Sequence, residues 1–324
     1  GGGPRAPRDA NLAFFRCSIE VAFQPWTPSA YSSKVKLAES VHGEVFRLET
    51  TENSGPLVAK VVLNSSLARS RRRPNSERTM WLSDQDIRSA EDPWTEIAVL
   101  MHLQRFAEQC DFLIKTLGLF QDVDNTYIVT EYCEGGELFE RVAFGAPLEE
   151  EERHRCVVEL LRAVRHLHRH NIGHRDVSLE NVLLQRGRCV LMDFGQAVRL
   201  RSPFGRDFRY YIQAGKRMYR APETYVPRHN PIQVVCPPDA KPGGVAQVQY
   251  DNSRCEVMLS PHAEPGRPCF AEPRGYIVEP VDVFACGVCV FVLTVGKAPW
   301  TMAHDTDSSF SFIRRNGVSS LLRQ

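Results

Sequence analysis

The hydrophobic pattern changes period part-way along this chain, and that change limits the fold to a mixed α+β architecture. From Lys34 to Leu63, and again from Phe112 to Thr130, β-branched and aromatic residues gather in short runs bounded by turn residues such as Gly43 and Asn53-Ser54-Gly55. Those runs predict five strands. Between them, Pro93 opens a helix with Ile97, Leu100 and Met101 on its apolar face. From Glu149 to His168, Val157, Leu160, Leu161, Val164 and Leu167 recur at helical spacing. The pattern predicts a flexible arm over 1–30, a β-rich first lobe over 31–133 and a mainly helical second lobe over 134–324. Two segments break it. Residues 64–92 are polar and hold the basic run Arg69–Arg73, read as a solvated loop with a localisation or docking signal as its alternative. Residues 226–280 are proline-rich with little periodicity, and read as an irregular insertion that docks a partner or hangs in solvent.

Charge and cysteine usage narrow the class. Forty basic residues stand against 39 acidic ones, a balance that excludes a whole-chain nucleic-acid binder. Ten cysteines without framework spacing fit a reduced compartment, so a cytoplasmic location is expected, with a nuclear one as the alternative through Arg69–Arg73. The apolar stretch Val281 to Val295 reads as a core helix too short to span a bilayer. Cys286 and Cys289 lie within it and read as small buried residues rather than a redox pair.

Five motifs carry chemistry. His174-Arg175-Asp176-Val177-Ser178-Leu179-Glu180-Asn181 is followed twelve residues after Asn181 by Asp193-Phe194-Gly195. Ala221-Pro222-Glu223 comes later, Val58-Ala59-Lys60 sits on an upstream strand, and Glu96 lies on the first helix. Any one of them is commonplace. In this order, each on the element it requires, they resemble a eukaryotic protein kinase domain over residues 34–322, insertions excepted. The resemblance implies a two-lobe α+β fold with a small β-rich lobe and a larger, apparently truncated helical lobe. It implies ATP and Mg²⁺ as cofactors and protein substrates; no nucleic acid is expected from the charge balance and no membrane span from the length of the apolar stretch. By that likeness Asp176 accepts the substrate hydroxyl proton, Asn181 and Asp193 hold metal, and Lys60 meets the phosphates while Glu96 holds Lys60. Such roles suit phosphoryl transfer, which needs positioning and charge neutralisation rather than covalent chemistry.

The same likeness places adenine at a hinge. Thr130 becomes a small gatekeeper, followed by Glu131 and Cys133; Val45, Ala59 and Leu183 sandwich the purine, Glu137 meets the ribose, and Gly43 belongs to the phosphate-covering loop. His174 packs under Phe194, which separates it from His166, His168 and His170 and disfavours a zinc site.

Three departures stand out. Ala38-Glu39-Ser40-Val41-His42-Gly43 keeps only one glycine of the family's three, so weaker ATP affinity is expected. Ser178 stands where Ser/Thr kinases carry a lysine, and Lys216, after Gly215, stands where they carry threonine. A swap is therefore expected, with Lys216 supplying the cation beside Asp176. The alternative is an ordinary surface lysine. Only twenty-four residues follow Trp300, so the chain reads as a fragment or an abbreviated lobe in which Glu223 lacks its usual arginine partner.

Arg175 before Asp176 implies activation by loop phosphorylation. Seven basic residues crowd the segment before Glu223, so the unmodified loop is expected to be mobile and a phosphate to order it. Candidates are Ser202, Tyr210 and Tyr211, with Ser76 upstream; Arg199 and Arg73 lie three residues before the two serines. Glu137 and Glu180 suit basic target sequences, their alternative being ribose binding and ordinary ion pairing. The sequence thus reads as a Ser/Thr protein kinase, with a non-catalytic nucleotide-binding scaffold as the alternative.

Overall fold

The computed structural model describes residues 22–52, 55–72, 91–105, 110–145, 148–227, 231–250 and 253–319. Ser76, Arg73 and residues 1–21 lie outside them. The chain divides into two compact units, one holding 22–174 and 179–199, the other 175–178 and 200–319. This division departs from the expected boundary at 133/134. The reason lies in backbone bonds that tie the later strands to the first sheet's unit: Ile114 N–H donates to the Leu191 carbonyl at 3.0 Å, and Gly135 N–H to that of Leu184 at 2.9 Å.

The first unit is built on a six-stranded sheet in the order β1-β5-β6-β4-β3-β2. Its strands are β1 (Gln24–Pro25), β2 (Tyr31–Ser40), β3 (Gly43–Thr50), β4 (Pro56–Leu63), β5 (Thr116–Gln121) and β6 (Asn125–Glu131). All neighbours run antiparallel except β1, which pairs parallel with β5. One face buries Leu48, Ala59, Val61, Tyr127 and Val129, each Leu or Val side chain contributing about 1.5–3 kcal/mol when fully buried. Trp26 stacks on Tyr127 at 3.8 Å between ring centroids, and Phe23 meets Trp94 edge-on at 6.0 Å. The described end of the arm, 22–30, is therefore anchored rather than flexible. β5 begins four residues later than the run from Phe112 suggests, after an isolated bridge from Leu113 to Leu191.

Helix α1 (Asn64–Arg72) occupies the start of the segment read as a loop. It is held from outside, by the indole N–H of Trp94 donating to the Leu67 carbonyl at 3.1 Å. Helix α2 (Pro93–Gln104) starts with proline at its first turn, where a missing N–H costs nothing, and is buried all round from Pro93 to Leu100 rather than on one face. Helix α3 (Leu138–Phe144) is short; α4 (Glu150–Arg169) is amphipathic, with Glu150, Glu151 and Glu152 at its N-terminus and His166, His168 and Arg169 at the other end. Its buried face runs through Cys156, Leu160, Ala163, Val164 and Leu167, while Leu161, expected inside, is exposed. Short strands β7 (Ile172–Gly173), β8 (Val182–Gln185), β9 (Arg188–Leu191) and β10 (Val198–Arg199) complete this unit.

The second unit overturns the reading of 226–280 as irregular. It holds a four-stranded antiparallel sheet, β11 (Ile232–Val235), β12 (Val245–Tyr250), β13 (Ser253–Leu259) and β14 (Pro268–Pro273), in the order β11-β14-β13-β12. Ile232, Val234, Cys255, Val257 and Leu259 are buried at alternate positions, the period of a half-buried strand. Pro268 and Pro273 sit at the ends of β14, where a missing donor is tolerated.

Helix α5 (Val278–Val295) closes on Gly296 in the left-handed conformation, φ 76°. At 18 residues it is longer than expected, and among the described residues it is the helix long and apolar enough to cross a membrane. Half of it is buried, and it carries the buried Asp282 near its start, which fits a core helix. Burial pushes the Cys286 thiol up to about 12, with Asp282 adding to the effect, so this cysteine stays inert. Helix α6 (Ser308–Asn316) is capped by Asp307, whose side chain accepts the Phe310 N–H at 3.0 Å.

Candidate active site

The first unit assembles a buried charge cluster. Lys60 on β4 donates from Nζ to Glu96 Oε2 on α2 at 2.7 Å and lies 3.8 Å from Asp193 Oδ1. Burial works against the lysine's charge, but Asp193 and Glu96 outweigh it and hold the group protonated above the ordinary lysine range. Burial pushes the Glu96 carboxyl up; Lys60 opposes that shift and Asp193 adds to it.

Asp193 has φ 64°, a strained conformation for a non-glycine residue, and accepts the Gly195 N–H at 3.2 Å. The segment before it is fixed by Met192, whose N–H donates to the Asn181 carbonyl at 2.9 Å and whose carbonyl lies 3.0 Å from His174 Nε2. The His174 and Phe194 rings meet edge-on at 5.5 Å, as the resemblance implied. Asn181 is buried, so the unit ties an amide side chain and a carboxylate to the same short stretch of backbone. These hard oxygen donors beside a cationic lysine fit Mg²⁺, a dication that fills its remaining positions with phosphate and water.

The hinge residues follow on β6. Glu131 accepts the Lys115 N–H at 3.2 Å and the Gln185 side-chain amide at 2.8 Å. Burial, reinforced by Glu131 and Glu134, pushes the Cys133 thiol up to about 12. Glu137 and Leu183 are brought together by an antiparallel bridge. Gly43 owes its lack of a side chain to packing: a Cβ there would stand 1.9 Å from the Val61 carbonyl oxygen.

The second unit holds Asp176, 6% exposed. Its Oδ1 accepts the Lys216 backbone N–H at 3.0 Å, and Lys216 Nζ donates to Asp176 Oδ2 at 3.3 Å and to Ser178 Oγ at 3.0 Å. Gly215 allows this approach. It adopts φ 80°, and a Cβ there would meet the Arg175 carbonyl oxygen at 2.5 Å.

Residues 32–234, more than half of the chain, match the family model described as protein kinase domain. The chain belongs to the protein kinase domain family. The kinase match ends at β11, ahead of most of the second unit's sheet. Among curated proteins, this kinase domain is 34% identical over 112 residues to the hormonally up-regulated neu tumor-associated kinase of Homo sapiens, covering 34% of this chain and 16% of that protein. It is 28% identical over 175 residues to CBL-interacting protein kinase 1 of Oryza sativa subsp. japonica, covering 54% of this chain and 28% of that protein. The chain thus covers less than a third of either relative.

One kinase assignment made from the sequence fails. Ala59 does not share a face with Lys60, because adjacent strand residues point to opposite sides. It is 1% exposed within the apolar cluster on the far face. Val58, two residues before Lys60 and paired with Thr130, occupies the Lys60 face instead, as does Val45, which pairs with Lys60 itself.

Three residues of the kinase were missed. Arg220 is buried and donates to the Ala214 and Gly215 carbonyls at 3.0 and 2.6 Å and to Gln213 at 3.1 Å, stapling the turn that presents Lys216. Asp282 on α5 accepts the backbone N–H of Arg175 at 2.8 Å. Glu256 on β13 pairs with Arg209 at 3.0 Å and Arg274 at 2.8 Å. The other expected features of the loop change accordingly: Arg201 pairs with Asp207 within the segment at 3.2 Å and with Glu279 on α5, so acids from inside and outside the basic segment relieve its repulsion. Ser202 Oγ accepts the Arg206 N–H at 3.1 Å, and the Tyr211 hydroxyl donates to the Pro273 carbonyl at 3.3 Å.

Proposed function

We propose that this kinase domain is catalytically active and transfers the γ-phosphoryl group of ATP, with Mg²⁺, to Ser or Thr hydroxyls of protein substrates. The observation that carries the reading is the Lys216 ammonium lying 3.3 Å from Asp176 and 3.0 Å from Ser178. It supports a cation at the catalytic aspartate even though Ser178 stands in the position where Ser/Thr kinases carry lysine. Without that cation the charge spreading over the transferring group would go unopposed.

In this reading Asp176 accepts the proton of the attacking hydroxyl, and Lys216 stabilises negative charge as the phosphoryl group moves. Lys60, oriented by Glu96, pairs with the nucleotide phosphates, and Asn181 and Asp193 hold the metal. Bound Mg-ATP supplies the phosphoryl group and the dication that neutralises it. Thr130, Glu131, Cys133, Val45, Val58 and Leu183 line the adenine position, and Gly43 lies in the loop over the phosphates. Glu137 and Glu180 favour basic targets through charge complementarity. A cytoplasmic location and self-phosphorylation at Ser202 belong to the same proposal.

The second reading is a nucleotide-binding scaffold, favoured by a phosphate loop whose single glycine already has a packing reason. Purified chain incubated with radiolabelled Mg-ATP and a basic Ser/Thr peptide separates the two. Label on the peptide that vanishes in Asp193→Ala supports transfer; nucleotide binding without label supports the scaffold.

A further inference from the structure

The segment that the sequence marks as a mobile, phosphate-dependent loop is held by the stretch that follows the four-stranded sheet of its own unit, and by Glu256 within that sheet. Tyr210 and Tyr276 exchange both backbone bonds at 2.9 Å, and the Tyr276 hydroxyl donates to the Ile212 carbonyl at 2.6 Å. Arg209 donates to the Gly275 carbonyl at 3.0 Å and forms an ion pair with Glu256 Oε1 at 3.0 Å; Arg274 pairs with the same oxygen at 2.8 Å, both as charge contacts outside hydrogen-bond geometry. Gly275 makes room for this contact: at φ 66°, a Cβ there would lie 2.7 Å from the Tyr210 carbonyl oxygen.

The hold extends to the catalytic loop. The Arg175 guanidinium lies over the Tyr210 ring at 5.4 Å, its backbone N–H is fixed by Asp282, and Asp176 follows directly in the chain. A carboxylate facing two guanidiniums is the arrangement that a loop phosphate would otherwise create. Here the negative charge comes from β13.

We infer that Glu256 is a positioning residue that takes the place of activation-loop phosphorylation, holding Arg209 and, through the adjoining backbone, the Tyr210 ring under the Arg175 guanidinium so that Asp176 is set without modification. This rests on the reading of the domain as an active kinase, but the brace has its own readout.

The test uses the full chain, verified as unphosphorylated by mass spectrometry after phosphatase treatment and again at the end of an initial-rate assay. Hydrogen exchange at the amides of 208–212 and steady-state phosphoryl transfer are measured for the unaltered chain, Glu256→Ala, Glu256→Asp and Arg209→Ala. Glu256→Ala and Arg209→Ala are expected to speed exchange at 208–212 at least tenfold while protection of α5 stays unchanged. Both lower kcat about tenfold at constant KM for ATP, and Glu256→Asp recovers part of each effect. Unchanged exchange in both Glu256→Ala and Arg209→Ala overturns the brace, and so does loss of α5 protection together with 208–212, which marks a general structural role. Faster exchange at unchanged kcat, or loss of the unaltered chain's activity on phosphatase treatment, overturns the positioning role. If the unaltered chain transfers no phosphate, the kinase reading fails, and the exchange rates alone decide whether the brace exists.

Discussion

The side chain of Asp282 accepts the backbone N–H of Arg175 at 2.8 Å, although the two residues are 107 positions apart. Arg175 has φ 66°, a conformation with few intrinsic supports in a non-glycine residue. The buried carboxylate therefore holds in place the residue that precedes Asp176. Asp282→Ala removes a buried charge-assisted hydrogen bond, a loss of about 1.5–3 kcal/mol. Urea denaturation is expected to show that loss, and transfer rates to fall further than stability alone accounts for. An unchanged midpoint would remove this anchor from the account.

Glu223 gives a pH prediction. Burial pushes its carboxyl up, and among the described residues it takes part in no ion pair. A carboxyl whose folded-state value is raised contributes stability below its ordinary value near pH 4.3 and loses that contribution as pH climbs through the raised value. Glu223→Gln removes this titration. The variant is expected to gain stability relative to the unaltered chain as pH increases from 4 to 8, with the difference smallest at the acid end. Denaturation midpoints across that range check it, and parallel curves would contradict it.

The opposite faces of β4 separate two neighbouring substitutions. Val58→Phe narrows the face shared with Lys60 and Thr130, and is expected to raise KM for ATP with little change in thermal stability. Ala59→Leu overpacks the cluster around Leu48, Val61, Tyr127 and Val129, and is expected to cost about 1–3 kcal/mol of stability without a selective effect on ATP. Nucleotide titration and thermal melting of the two variants distinguish the faces.

These particulars show where the sequence was readable. The first sheet, α2 and α4 follow from strong local periodicity, and the charge cluster around Lys60 follows from motifs whose spacing matches their elements. The Ala59 error came from treating Val58-Ala59-Lys60 as one surface, where the two-residue strand period already assigns Val58 to the Lys60 side. The sheet of the second unit was present in the alternation of Ile232 with Val234 and of Cys255, Val257 and Leu259, but dense proline at the strand ends hid it. Arg220, Glu256 and Asp282 could not have been assigned from sequence, because each acts on backbone or charge that tertiary folding brings to it. The basic segment was misread for the same reason: its counter-charges, Glu256 and Glu279, lie in distant parts of the chain.

Lys216 serves the position that Ser178 leaves without a cation. Single-turnover phosphoryl transfer at saturating ATP, with Lys216→Ala compared against the double variant Ser178→Lys with Lys216→Ala, tests it most directly. Loss of the cation is expected to slow transfer about 10²-fold at unchanged ATP affinity, and the lysine at 178 to restore most of the rate. Equal rates for Lys216→Ala and the unaltered chain would contradict it.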